Sequence, residues 1–182
     1  MKAVICREYG PPESLVYDDV DAPVPGPGQA VVRVRAAAVN YPDVLFLSGG
    51  YQVKVTPPFS PGSEFAGEVS AVGDGSQWQI GQRVSGSVMV GAFAGQVAVD
   101  DRALQPLPEG VDFGEAAAFG VTYRTAYFTL RTVAPVAPGD WVVVLGARLQ
   151  DDQVAPGHAR RLRRAAALYR ADPQRRILLV GG

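Results

Sequence analysis

The 182-residue sequence predicts a mainly β, partly open barrel followed by a truncated α/β segment of β-α-β type. Three observations carry that expectation. Short β-prone runs punctuated by Gly and Pro fill the chain from Met1 to about Leu107. Beyond them the spacing of Ala and aromatic residues turns helical, and two apolar runs then flank an amphipathic, arginine-rich stretch.

The β runs are "QAVVRVRAAAVN", "EFAGEVSAVG", "QRVSGSVMV" and "GQVAVDD". With 21 Gly and 15 Pro, the chain stays below the level at which composition alone indicates disorder, and many of these residues sit where turns need them. A compact barrel therefore fits better than a linker. The segment "LPEGVDFGEAAAFGVTYRTAYFTLRTVAP" reads as helix. The apolar strand Trp141 to Leu145, an amphipathic helix near Ala159 to Ala171, and the closing "ILLVGG" compose one β-α-β unit. The expected division is 1–130 for the barrel and the helix that leaves it, and 131–182 for the partial α/β segment.

A chain 47% hydrophobic and 19% charged can bury a core and reads as soluble and globular. No apolar run approaches a membrane span, and "MKAVICREYG" lacks the apolar region of a signal peptide, so a cytoplasmic protein is expected. The single cysteine, Cys6, excludes an internal disulfide and every multi-cysteine zinc site, and its strand-like neighbours Val4 and Ile5 suggest a plain buried thiol. The single histidine, His158, has no ligand cluster at metal-binding spacing and is expected to be solvated.

Charge changes sign along the chain. Residues 1–147 hold nine Lys and Arg against fifteen Asp and Glu, net −6, whereas residues 148–182 hold eight Arg against three Asp, net +5. A basic tail can bind nucleic acid. In "HARRLRRAAALYRA", however, Leu162, Ala165, Ala166 and Tyr169 recur at helical spacing opposite the arginines, which favours a solvated helix face over a nucleic-acid partner. The two apolar runs would form a parallel pair with open edges, so self-association is expected.

Six segments in order, "MKAVICREYGPPESLVYDDV", "VRVRAAAVNYPDVLFLSGGYQ", "PFSPGSEFAGEVSAVGDG", "IGQRVSGS", "LPEGVDFGEAAAFGVTYRTAY" and "VAPGDWVVVLGA", closely resemble the zinc-independent quinone oxidoreductases. These form the zeta-crystallin-like branch of the medium-chain dehydrogenase/reductase superfamily. The resemblance covers about residues 1–147. It implies a GroES-like domain carrying the substrate side of a cleft, a crossing helix, and the first strand of a Rossmann domain. The implied activity is hydride transfer from NADPH to a quinone or enone; the lack of a long apolar run predicts no membrane partner.

Zinc is argued against by the residues themselves. A catalytic zinc takes three protein ligands and a structural lobe four thiolates, and the sequence holds neither set. In "PGSEFAG", Ser63 stands where zinc-dependent relatives carry a histidine. Without a Lewis acid, alcohol oxidation is disfavoured, whereas quinone carbonyls are already electrophilic.

The resemblance implies Asn40, Asp43 and Tyr51 as catalytic residues facing nicotinamide and substrate. Asn40, Thr125, Tyr127 and Gly146 are implied on the cofactor side. The residues also admit other readings. Asn40 and Asp43 around Pro42 could build a turn, Tyr51 could pack on the barrel, and Thr125 and Tyr127 could be core contacts. Glu64 reads as a structural carboxylate hydrogen-bonded to backbone.

After Gly146 the pattern departs from a dinucleotide site. A pyrophosphate must approach bare backbone N–H groups at a glycine turn, but here Arg148, Leu149, Asp151 and Asp152 follow, and the two aspartates would repel phosphate. Residues of about 143–182, "VLGARLQDDQVAPGHARRLRRAAALYRADPQRRILLVGG", instead resemble the opening of the SanA/YdcF-like α/β group. The chain thus reads as a junction of two families, with a doubtful NADPH site and a chain inactive by itself. The alternative is a non-catalytic chimeric or truncated domain acting only by association.

Overall fold

In the computed structural model, the described residues are 1–133, 135 and 137, together with the backbone of 141–145 and 176–180. Strand β1 (Lys2–Ile5) pairs antiparallel with β2 (Val16–Asp19), with Ala3 opposite Asp18 and Val4 opposite Tyr17. Strand β3 (Gln29–Ala38) is the longest among the described residues. Helix α1 (Tyr41–Leu47) follows, then β4 (Glu64–Val72), β5 (Arg83–Ser87), β6 (Gln96–Asp100) and β7 (Leu104–Pro106).

Strands β3 to β7 form one antiparallel sheet of order β6-β3-β4-β5-β7. The sheet is open, with β6 and β7 at its edges, which agrees with the predicted mainly β, partly open barrel. Bridges from Ala3 to Ala94 and from Cys6 to Phe59 tie β1 and its continuation to the rest. Each of the four β runs named from sequence contains a strand.

Alternation along β3 and β4 turns one set of side chains inward. Ala30, Val32, Phe65, Val69, Val84, Val97, Val99 and Leu104 are buried together, with Trp78 packed against them. A second cluster gathers Cys6, Phe46, Leu47 and Phe59, with Leu15, Tyr51, Val55 and Val90 at its margin. Cys6 is a free, buried thiol, as expected. Its Sγ donates to Glu8 O at 3.1 Å, and burial raises its pKa above the ordinary thiol value.

Two glycines permit close approach. The register of β3 on β4 shifts between Val34 and Ala36, and opposite that irregularity a Cβ on Gly67 would lie 2.0 Å from Arg33 O. Gly62 has φ +95°, and a Cβ there would run into the Phe93 ring. The chain just before Ser63 and Glu64 is thereby fixed.

The all-β reading of residues 1–107 missed α1. Its signals are local and strong: Asn40 is the N-cap, Pro42 sits in the first turn, and Asp43 occupies the third helical position. Helix α2 (Phe113–Phe128) fulfils the helical reading of the alanine-rich segment and continues into a wider π turn over Thr129–Val133. Two compact units result, Met1–Thr125 and Ala126–Gly182. In the second, β8 (Trp141–Leu145) pairs in parallel with β9 (Arg176–Val180), with Val142 opposite Ile177. The helix expected between them, His158, Gly146 and most of the SanA/YdcF-like segment lie outside the described residues.

Candidate functional site

The N-terminus of α1 assembles a buried polar cluster. Asn40 leaves β3 in extended conformation as N-cap, and Asp43 Oδ2 accepts its backbone N–H at 2.7 Å. Such an acceptor satisfies a donor outside the helical hydrogen-bond ladder and places a negative group near the positive helix end. From the start of β4, Glu64 Oε1 accepts a hydrogen bond from Asn40 Nδ2 at 2.9 Å. Glu64 Oε2 accepts the backbone N–H of Val121 in α2 at 2.6 Å. Glu64 is only 2% exposed and Asn40 7%.

Desolvation by burial pushes the Asp43 carboxyl above its ordinary range. The Asn40 N–H, the Ser63 hydroxyl and the Gly62 N–H offset part of that rise, while the Glu64 charge adds to it. Ser63 lies close enough to act on the carboxylate without meeting hydrogen-bond geometry. Asp43 Oδ1, Ser60 Oγ and Ser63 Oγ are all buried and make no hydrogen bond. A buried polar atom left unpaired is costly, and two of these three, Asp43 Oδ1 and Ser63 Oγ, belong to residues that act on one another here.

The structure brings Asn40 and Asp43 together as the cap of α1. The turn read from these two residues is the first turn of α1 itself. Tyr51 sits past the other end of α1. Its N–H donates to Leu45 O at 3.2 Å, and its ring meets that of Phe46 with centroids 4.3 Å apart. Both readings of Tyr51 therefore remain compatible with its position, since the ring packs and the residue is only half-buried.

Thr125 and Tyr127 are exposed, so they are not core contacts among the described residues. Tyr127 is 68% exposed, and the Arg131 guanidinium lies 5.9 Å from its ring centroid. Phe119 and Tyr123, one helical turn apart, stack with centroids 4.9 Å apart and are likewise exposed. Among the described residues no group of three or more His, Cys, Asp or Glu could hold a metal ion, and no helix is long and apolar enough to cross a membrane.

Glu64 is hydrogen-bonded to backbone as the sequence suggested, but its bond to Asn40 was not foreseen. Gly120 was also missed. A Cβ there would stand 2.8 Å from Glu64 Oε2, so the glycine makes room for the carboxylate beside α2. An isolated glycine inside a helical pattern was the available signal.

The family model for the alcohol dehydrogenase GroES-like domain matches residues 26–109. The quinone oxidoreductase of Homo sapiens is 39% identical over 150 residues, covering 81% of this chain and 46% of that protein. The chain thus spans about half the length of the curated relatives it matches. Among solved structures, a probable oxidoreductase from Mycobacterium abscessus aligns with TM-score 0.75 at 41% identity, covering 80% of this chain and 47% of the other. The quinone oxidoreductase from Thermus thermophilus, solved also in complex with NADPH, aligns with TM-score 0.72 at 34% identity over 100% of this chain and 54% of its own.

Proposed function

Given that over its N-terminal part the chain belongs with the quinone oxidoreductases of the medium-chain dehydrogenase/reductase superfamily, we propose that it supplies the substrate side of an NADPH-dependent, zinc-independent quinone or enone reductase. We further propose that the barrel and α2 to about residue 130 act as one domain and that the protein is cytoplasmic. The observation that carries this reading is the buried Asn40–Asp43–Glu64 cluster at the starts of α1 and β4.

The roles are modest. Asn40 donates one amide hydrogen to Glu64 and retains a second for a ribose hydroxyl or quinone carbonyl. Asp43 holds the Asn40 backbone in place. Tyr51 supplies a phenolic donor to the oxyanion that develops on a reduced quinone. Thr125 and Tyr127, exposed on α2, would contact the nicotinamide face. Bound NADPH would supply the hydride.

The cofactor site is proposed to be incomplete in this chain. Gly146 is followed by Arg148, Asp151 and Asp152 in place of a glycine turn, so the pyrophosphate lacks its backbone donors. The charge of Arg148 would not by itself restore the proximity that hydride transfer needs. That departure favours the second reading, a chimeric non-catalytic domain acting by association, with self-association through the edges of the β8–β9 pair.

Calorimetric titration of the 182-residue chain with NADPH, together with NADPH oxidation in the presence of a simple benzoquinone, separates the readings. Weak or absent binding and no turnover above background are expected. Tight saturable binding with turnover would restore a complete enzyme and defeat the incomplete-site reading.

A further inference from the structure

Glu64 does more than satisfy a helix amide. Its two oxygens face two different elements: Oε1 takes the Asn40 side chain at 2.9 Å and Oε2 takes the Val121 N–H of α2 at 2.6 Å. A carboxylate bonded at both oxygens cannot rotate without losing one of them. Burial adds to the constraint, because neither lost bond is readily replaced by water at a side chain 2% exposed. The contact also decides which end of the Asn40 amide faces Glu64. An ionised carboxylate has only acceptors, so the nitrogen is the end that can bond to it. One hydrogen of that planar NH2 group is then committed, and the direction of the other is set.

We propose that Glu64 is a positioning residue: anchored on the Val121 N–H of α2, it fixes the rotation of the Asn40 carboxamide, so that the second amide hydrogen has one direction for a ligand acceptor. Gly120 is part of the device, since a side chain there would occupy the space of Oε2. The ligand class is a nicotinamide riboside unit or a quinone carbonyl, and this half of the inference rests on the functional reading above.

Asn40 is the only asparagine in the sequence, which makes a direct readout possible. Asparagine-selective 15N labelling of the full chain gives a single side-chain NH2 pair in a heteronuclear correlation spectrum. In the wild type, the proton bonded to Glu64 Oε1 is expected to be displaced from its free-amide position and to exchange slowly with water. In Glu64→Ala both should move to the two positions of a solvent-exposed asparagine amide and exchange faster with water. Glu64→Gln, which can still offer Asn40 an oxygen, should restore much of that displacement. Valine methyl dispersion from Val32, Val69 and Val84 monitors the barrel in each variant, so misfolding is read separately.

Titration with nicotinamide mononucleotide and with tetramethyl-benzoquinone completes the test. At least one probe should shift the Asn40 pair in the wild type and bind about fivefold to tenfold more weakly to Glu64→Ala, as expected for one hydrogen bond lost. An Asn40 pair unchanged in a folded Glu64→Ala overturns the positioning role. A pair that depends on Glu64 but is unmoved by both probes overturns the assignment of Asn40 to ligand binding, and with it the functional half of the inference.

Discussion

Glu64 and Val121 are joined by a hydrogen bond of 2.6 Å from a backbone N–H of helix α2 to a carboxylate on strand β4. A side chain at the start of one strand thus holds a helix 57 residues further along the chain. Charge-assisted bonds of this kind are among the stronger ones in proteins, and this one is buried.

The bond depends on Gly120. In an ordinary helix interior, Gly→Ala stabilises by about 1 kcal/mol. Here the new Cβ would meet Glu64 Oε2 at 2.8 Å, and overpacking of this type costs about 1–3 kcal/mol. Gly120→Ala should therefore lower stability by about 1 kcal/mol in urea unfolding. A higher unfolding midpoint would show that the carboxylate moves aside freely.

Asp43 should make stability depend on pH. Burial raises its folded-state value above the ordinary 3.8, so its contribution is whole below 3.8 and is lost as pH rises through the raised value. Asp43→Asn keeps an acceptor for the Asn40 N–H and carries no charge. Measured across that window, the difference in unfolding free energy should shift in favour of the variant as pH rises. Parallel profiles for the two proteins would contradict it.

Tyr51 allows packing and chemistry to be separated. Tyr51→Phe keeps the ring against Phe46, and stability should change by no more than about 0.5 kcal/mol. On the functional reading, affinity for tetramethyl-benzoquinone should fall about fivefold with loss of the phenolic donor. Unchanged affinity, read by fluorescence titration, would leave Tyr51 as a packing residue.

Cys6 is the only cysteine, buried and with its thiol held above the ordinary value. Alkylation by iodoacetamide should be about a hundredfold slower in the native chain than in urea, because the thiolate must form and be reached. Mass spectrometry follows the single site. Similar rates in both conditions would mean that the region joining Cys6 to Phe59 opens readily.

The strands were legible because their pattern is local: a run such as "QAVVRVRAAAVN" bounded by turn residues specifies β3 without its partners. Helix α1 was equally local, with Asn40, Pro42 and Asp43 in their capping positions, but two helical turns inside a β-rich stretch are too short for periodicity to reveal. Asn40, Asp43 and Tyr51 came from family resemblance, and their chemistry does not follow from spacing alone. A backbone bond for Glu64 was read from its apolar neighbours, but its partners, Val121 of α2 and the Asn40 side chain, were not. It joins a side chain to a backbone amide, and a backbone amide leaves no mark in the sequence beyond the glycine that clears its approach.

The pairing of β3 with β6 sets the order in which the barrel can be made. Gln29 lies opposite Asp100, and their side chains meet 71 residues apart in the chain. Even the innermost pair of this ladder, Arg33 opposite Gln96, closes a loop of about 60 residues, and closure entropy is spent before the contacts repay it. During synthesis, one edge of β3 therefore stays unsatisfied until β6, Gln96–Asp100, emerges from the ribosome. Slow, late-committing folding follows, with the greatest exposure to misassembly falling in the interval when β3 and β4 have met and β6 has yet to arrive.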